Sequence, residues 1–166
     1  MALKAILRGQ LGFGAAPLGN MFRDIPEEEA RATVEAAWND GIRYYDNAPF
    51  YGAGLAEIRM GEMLAGKPRD AFVISTKVGR IILDEIEDIS ARDLGEKGEV
   101  FKYGRPNKIV NDYSEDATYR SIEDSLKESR RQGVERPARP EAQLPPSSPS
   151  RRIAQGDVAS RFAAKI

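Results

Sequence analysis

The chain of 166 residues contains neither cysteine nor histidine. Without cysteine it can form no disulfide bond and can supply no catalytic thiolate. Without histidine it lacks the commonest general base and the commonest metal ligand in proteins. These two absences exclude a zinc site of the usual composition and a Ser-His-Asp triad built from this chain alone.

The sequence also lacks long apolar runs and a strong charge of one sign. No apolar run approaches the length of about 18 residues that a transmembrane helix requires. The formal net charge is −1, which favours neither nucleic acid nor a membrane surface as a partner. The first residues, MALKAILRGQLGFGAAPLG, form too broken an apolar run for a signal peptide. We therefore expect a cytoplasmic protein.

Strand-like and helix-like segments alternate along most of the chain. The first prediction is a short hairpin followed by a strand that ends near Gly14. The remaining predicted elements are the helix IPEEEARATVEAAWNDG, the strand IRYYD, the helix GLAEIRMGEMLAGK, the strand AFVISTK, a long polar loop over residues 81–113 and a helix from Ser114. Trp38, Met60 and Met63 are interpreted as core side chains. The alternation favours an α/β fold with a parallel sheet, either doubly wound or a (β/α)₈ barrel.

Three polar side chains follow two of these strands and form the candidate site. Asp46 and Tyr51 lie in YYDNAPFYG, and Lys77 lies in STKVGR. In parallel sheets the carboxyl ends of the strands share one edge, where ligands and catalytic groups gather. Each residue also has a simpler interpretation, because Asp favours turns, Tyr packs, and a strand-end Lys can extend into water.

The combination of these side chains favours proton transfer to or from an oxygen. An ammonium beside Tyr51 favours the phenolate form of that side chain, and Asp46 can pair with the Lys77 ammonium. A phenol in such surroundings can act as a general acid or base in a carbonyl–alcohol conversion, while a nicotinamide cofactor carries the hydride.

The motifs GFGAAPLGN, YYDNAPFYG with GLAEIRMGEML, and FVISTKVGR together resemble the aldo-keto reductase superfamily over about residues 8–130. The resemblance is closest to the branch that oxidises sugars and pyridoxal. It implies a (β/α)₈ TIM barrel, an NAD(P) cofactor and a small carbonyl or sugar substrate. The residues to which it assigns roles are Tyr51 as acid/base, Lys77 and Asp46 as its catalytic partners, Gly14, Ala15, Ala16 and Asp46 beside the cofactor, and Tyr51, Phe50 and Met21 beside the substrate.

The resemblance ends near residue 130. The family has a fourth catalytic residue, a His after its next strand, and this chain has no His. Residues 131–166 are instead rich in Pro, Arg, Ser and Ala, which argues against a central strand. We therefore divide the chain into residues 1–130, the N-terminal half of a truncated barrel, and residues 131–166, an irregular tail. The tail is either an evolved disordered segment or the product of a reading-frame shift, and its composition favours the frame shift.

Two other functions remain open on the sequence alone. A half-barrel with unpaired sheet edges can serve as a non-catalytic interaction protein and can self-associate. Lys77 can also act as a Schiff-base nucleophile in an aldolase or isomerase on the same barrel.

Overall fold

The computed structural model describes residues 9–89 and 100–129. The strands are β1 (Phe13–Gly14), β2 (Tyr44–Asp46), β3 (Val73–Ser75), β4 (Arg80–Ile86) and β5 (Asn107–Asn111). The α-helices are α1 (Glu27–Asn39), α2 (Leu55–Leu64) and α3 (Glu115–Glu128), and two short 3₁₀ helices span Ala16–Gly19 and Arg69–Ala71.

Strands β1, β2 and β3 form a parallel sheet in that order. Phe13 pairs with Tyr45, and Tyr45 pairs in turn with Ile74. Helix α1 connects β1 to β2, and α2 connects β2 to β3. The predicted alternation of strands and helices is therefore confirmed for this part of the chain, and it brings the carboxyl ends of three strands to one edge.

The core lies between this sheet and the first two helices. Tyr45, Met60 and Val34 are essentially inaccessible to solvent, and Met63 is also buried, so both methionines are core residues as predicted. Trp38 lies at the margin of this core, where its ring meets Phe72 edge-on at 6.0 Å between centroids.

Arg59 fastens α2 to the loop that follows β1. Its guanidinium, which is almost fully buried, donates to the backbone oxygens of Leu18 and Ile25 and to the side chains of Asn20 and Glu27, at distances of 2.7–2.9 Å. Buried carbonyl groups need such donors, because an unpaired one is costly to hold away from water. A single side chain therefore fixes much of the loop between β1 and α1.

The predicted long loop over residues 81–113 is wrong in part. Strands β4 and β5 form an antiparallel pair in which Ile81 faces Val110 and Ile82 faces Ile109. The β-branched residues in RIILDEI and NKIVN stabilise each other across the pair, although each segment alone carries too many polar residues to read as a strand. An ion pair between Lys108 and Glu85 joins the same two strands.

Helix α3 begins where the sequence predicted. Ser114 is its N-cap, and the serine side chain accepts a hydrogen bond from the Ala117 nitrogen at 3.2 Å. The predicted N-terminal hairpin lies largely outside the described residues, as does the predicted irregular segment 131–166. Within residues 9–89 and 100–129, no helix is long and apolar enough to cross a membrane.

We expect Arg59→Ala to destabilise the protein by about 1–3 kcal/mol or more, the cost of leaving the buried oxygens of Leu18 and Asn20 without a donor. The measurement is urea unfolding followed by circular dichroism. Arg31→Ala, on the exposed face of α1, is the matched control and should change the free energy of unfolding by less than about 0.5 kcal/mol. Equal effects from the two variants would contradict the role assigned to Arg59.

Candidate active site

The parallel pairing of β2 with β3 brings the three predicted catalytic side chains together. Asp46 is the last residue of β2, and Lys77 lies two residues beyond β3. The Lys77 Nζ atom is 2.8 Å from Asp46 Oδ2 and 3.1 Å from the Tyr51 hydroxyl. The structure thus places Asp46, Tyr51 and Lys77 in direct contact around one ammonium group.

All three hydrogens of the Lys77 ammonium have an acceptor. Besides Asp46 and Tyr51, Nζ contacts the backbone oxygen of Asn47 at 2.8 Å. Because an ammonium can only donate, the Tyr51 oxygen accepts the hydrogen bond from Lys77. The hydroxyl hydrogen of Tyr51 is therefore not used in this contact and can be donated to another molecule.

The surroundings of Lys77 favour its charged form. Partial burial lowers the pKa of Lys77, but its hydrogen bonds to Asp46 and Tyr51 and the charge of Asp46 outweigh burial, and the net pKa is raised. The lysine is therefore an ammonium at neutral pH. This charge state opposes the Schiff-base alternative, which requires a neutral amine.

Tyr51 is held by close backbone packing. A Cβ atom built on Gly19 would lie 2.7 Å from the Gly52 nitrogen, and Gly52 itself has a φ of +67°. Only glycine meets both requirements without strain. The loop after β2 therefore lies directly on the loop after β1, and this contact fixes the start of the segment that carries Tyr51.

Aromatic side chains form one wall of the site. The Phe101 ring centroid lies 5.7 Å from that of Tyr51 and 5.2 Å from that of Phe50. The Arg80 guanidinium covers the Phe50 ring at 3.9 Å. Phe50, predicted to line the substrate side, is thus packed against Phe101 and Arg80 beside the Tyr51 ring.

The other predicted binding residues have different surroundings. Gly14 is exposed at the end of β1, with open space where a side chain would be. It pairs with Asp46, so this space adjoins the candidate catalytic side chains. Ala15 is fully buried in the core, whereas Ala16 and Met21 are partly exposed. The open surface at Gly14 fits the approach of a flat ring such as nicotinamide.

The sequence interpretation missed several residues at the site. Ser75 donates to Asp46 Oδ1 at 2.8 Å, and the Tyr44 hydroxyl lies 2.9 Å from Ser75 Oγ. The sequence could have indicated Tyr44 and Ser75, because side chains two residues apart on a strand lie on the same face. Tyr44 precedes Asp46 by two residues, and Ser75 precedes Lys77 by two residues. Phe101 and the Asn47 backbone oxygen gave no comparable signal, because both depend on tertiary packing.

A buried carboxyl group lies on the other side of the same strand end. Glu57 on α2 is almost inaccessible to solvent, and its Oε1 accepts from Thr76 Oγ1 at 2.6 Å. Burial raises the pKa of Glu57 more than its hydrogen bonds lower it. The contact fixes Thr76, the residue immediately before Lys77. Across the part of the chain that the structure describes, no cluster of three or more acidic residues could hold a metal ion.

The model of the aldo/keto reductase family matches residues 10–134. This match spans most of the chain, which therefore belongs to the aldo/keto reductase family. Relatives of the chain are named as dehydrogenases, which are oxidoreductases.

Named relatives match different fractions of the chain. The D-threo-aldose 1-dehydrogenase of a Pseudomonas species is 60% identical over 72 residues, which are 43% of this chain and 22% of the relative. The pyridoxal 4-dehydrogenase of Microbacterium luteolum is 42% identical over 118 residues, 69% of this chain and 34% of the relative. The chain thus spans between about a fifth and a third of these relatives.

A solved structure gives the same family. The glycerol dehydrogenase from Gluconobacter oxydans is 28% identical and has a TM-score of 0.50, with 72% of this chain and 31% of that chain covered. The chain accordingly forms part of a TIM barrel, and the predicted partial barrel is confirmed.

We expect Asp46→Asn to lower the pKa of Lys77, because the substitution removes the carboxylate that favours the ammonium. The pKa is followed by NMR of ¹³C-labelled lysine in the 166-residue chain. Glu35→Gln is the control, since it removes the carboxylate of a separate ion pair, to Lys67, with the same 2.8 Å separation. Its effect on the Lys77 signal should be negligible.

The same pair has a defined pH dependence. Because the folded pKa of Lys77 lies above its ordinary 10.5, the pair contributes fully below that pH, and its contribution is lost as the pH rises through the folded pKa. The contribution is about 1 kcal/mol or less, since both side chains are partly exposed. A Lys77 pKa that is the same in the parent and in Asp46→Asn would contradict this pairing.

Proposed function

We propose that the site performs the hydride-transfer chemistry of an NAD(P)-dependent dehydrogenase, with Tyr51 as the acid and base. The observation that carries the proposal is the donor arrangement at Lys77. Its three hydrogens are committed to Asp46, Asn47 and Tyr51. Tyr51 therefore keeps its own hydrogen for a substrate oxygen.

The proton steps follow from this arrangement. When bound beside Gly14, a nicotinamide cofactor would supply or accept the hydride. During reduction Tyr51 donates its proton to the carbonyl oxygen, and during oxidation the Tyr51 phenolate takes the proton from the hydroxyl group. Lys77 remains an ammonium throughout and stabilises the phenolate, while Asp46 holds Lys77 in place.

The open surface at Gly14 supports placing the nicotinamide there. In this proposal Gly14, Ala15 and Ala16 provide the backbone beside the cofactor, and Asp46 borders it. Ala15 contributes through its backbone, because its side chain is buried. Met21 and Phe50 lie on the substrate side, with Phe50 held by its packing against Phe101.

The substrate class is proposed from two relatives. One is named for aldose oxidation and the other for pyridoxal oxidation. We propose an aldehyde, ketone or sugar hemiacetal that is interconverted with its alcohol or lactone. The exposed Asp46–Lys77 surface suits a substrate with several hydroxyl groups. We place this activity in the cytoplasm, with neither nucleic acid nor a membrane as a partner.

We expect Tyr51→Phe to reduce turnover by on the order of 10²-fold or more, because it removes the proton donor. The measurement uses a chimera in which residues 9–89 replace the corresponding segment of a full-length aldose dehydrogenase. Tyr45→Phe is the matched control, since it removes a phenol hydroxyl that donates to the backbone oxygen of Ile42 in the core and takes no part in the site. Cofactor affinity should be nearly the same in the parent chimera and in both of its variants. Turnover by Tyr51→Phe at the rate of the parent chimera would refute the assignment.

The 166-residue chain itself should have little or no dehydrogenase activity. Correct positioning of the reacting groups can be worth about 7–11 kcal/mol, and the chain contains no His to orient a carbonyl group. Calorimetric titration with NAD and with NADP, followed by assays of aldose and pyridoxal oxidation, measures this expectation. Micromolar cofactor affinity with steady turnover would contradict it.

The alternative function is a non-catalytic interaction protein built on the half-barrel. It is favoured by one observation: within the described ranges, β1 and β3 each pair with β2 alone. Edges of this kind can pair with a second copy of the chain. Sedimentation of the sample used for calorimetry separates the functions, because a defined oligomer without cofactor binding favours the alternative.

A further inference from the structure

Four polar side chains lie on one face of β2 and β3. Tyr44 and Asp46 are two residues apart on β2, and Ser75 and Lys77 are two residues apart at the end of β3. Asp46 and Ser75 are register partners in the parallel pair. Side chains two apart on a strand share a face, so the four lie together above the same patch of sheet.

The hydrogens in this group have only one consistent arrangement. Ser75 has a single hydroxyl hydrogen, and the Asp46 carboxylate can only accept, so the Ser75 hydrogen lies on Asp46 Oδ1 at 2.8 Å. The Ser75 oxygen must then accept from the Tyr44 hydroxyl at 2.9 Å. Hydrogen bonds therefore run from Tyr44 to Ser75 and from Ser75 to Asp46.

The hydrogen bond from Ser75 determines which oxygen of Asp46 contacts Lys77. With Oδ1 held by Ser75, the other carboxylate oxygen, Oδ2, faces the ammonium at 2.8 Å. The terminal torsion of an aspartate is otherwise broad, and 39% of the Asp46 side chain is exposed. The Asp46–Lys77 contact alone would leave the carboxylate free to rotate.

Tyr44 is fixed in turn by the chain before β1. A Cβ atom at Gly12 would lie 2.6 Å from Tyr44 Cδ1. The absence of a side chain at Gly12 leaves room for the Tyr44 ring in the position from which its hydroxyl reaches Ser75. The support for Asp46 thus depends on the space that Gly12 leaves immediately before β1.

We propose that Ser75, supported by Tyr44, is a positioning residue that orients Asp46 so that Lys77 is directed onto Tyr51. The inference rests on the proposed function, in which Lys77 acts on Tyr51. The hydroxyl of Ser75 is hydrogen-bonded to Tyr44 and Asp46. It acts through the carboxylate of Asp46.

The experiment compares Ser75→Ala, Ser75→Thr and Tyr44→Phe in the 166-residue chain by NMR of ¹³C-labelled lysine. Ser75→Ala should lower the Lys77 pKa, because a carboxylate that rotates favours the ammonium less. Ser75→Thr keeps the hydroxyl and should retain the pKa of the parent. Tyr44→Phe should shift it in the same direction as Ser75→Ala but by less. Ser121→Ala, which removes a buried hydroxyl on α3 that has no hydrogen-bond partner among the described residues, is the control and should leave Lys77 unchanged.

A second measurement separates positioning from general loss of structure. In the chimera, Ser75→Ala should reduce kcat by on the order of tenfold, the effect of losing one hydrogen bond to a charged group, with KM nearly constant. Ser75→Thr should restore kcat. If Ser75→Ala does not fold, Tyr44→Phe and Ser75→Thr still test the proposal, because both variants keep a hydroxyl at residue 75 that can donate to Asp46.

Two outcomes would overturn the positioning role. One is an unchanged Lys77 pKa in a folded Ser75→Ala chain, and the other is equal behaviour of the Ala and Thr variants. If Asp46→Asn lowers the Lys77 pKa while Ser75→Ala does not, the proposed function stands and the role of Ser75 fails. If Tyr51→Phe retains full turnover in the chimera, the proposed function fails, whatever the result at Ser75.

Discussion

The register between β2 and β3 is the constraint on which the site depends. Pairing Asp46 with Ser75 brings a carboxylate, a hydroxyl and, two residues further, an ammonium to the same end of the sheet. A shift of one residue would turn each of these side chains to the opposite face, where α2 packs. Burial of Tyr45 and Met60 maintains the register, because a slipped strand would bring polar residues into the core. Core packing and site geometry therefore follow from the same alternation.

The parallel βαβ part of the fold was readable from the sequence because each element is specified locally. Helix α1, for example, carries three acidic residues in its first turn and is followed by Gly41, which has a positive φ. The antiparallel pair of β4 and β5 could not be predicted from the sequence, since RIILDEI becomes a strand only when NKIVN pairs with it. Long-range pairing of polar segments leaves little trace in either segment alone.

The site shows the same division between local and tertiary information. Asp46, Tyr51 and Lys77 could be predicted because each follows a strand and its chemistry is distinctive. Their support could not be predicted from position alone. Phe101 lies far along the chain from Tyr51, and Ser75 resembles an ordinary strand residue until its register with Asp46 is known. The proposed chemistry thus has a local signature, whereas the rigidity that it needs is a property of the assembled sheet.

The close backbone contact between Gly19 and Gly52 couples the loop after β1 to the loop after β2. Because each backbone occupies the space that a side chain on the other would need, neither loop can shift without displacing its neighbour. Arg59 strengthens the contact between the two loops by donating a hydrogen bond to the backbone oxygen of Leu18. Redesign of the site for new substrates therefore cannot rely on moving the backbone of these two loops. Under the proposed function, new specificity would have to come from side chains at the margin of the site, Met21 and Phe50.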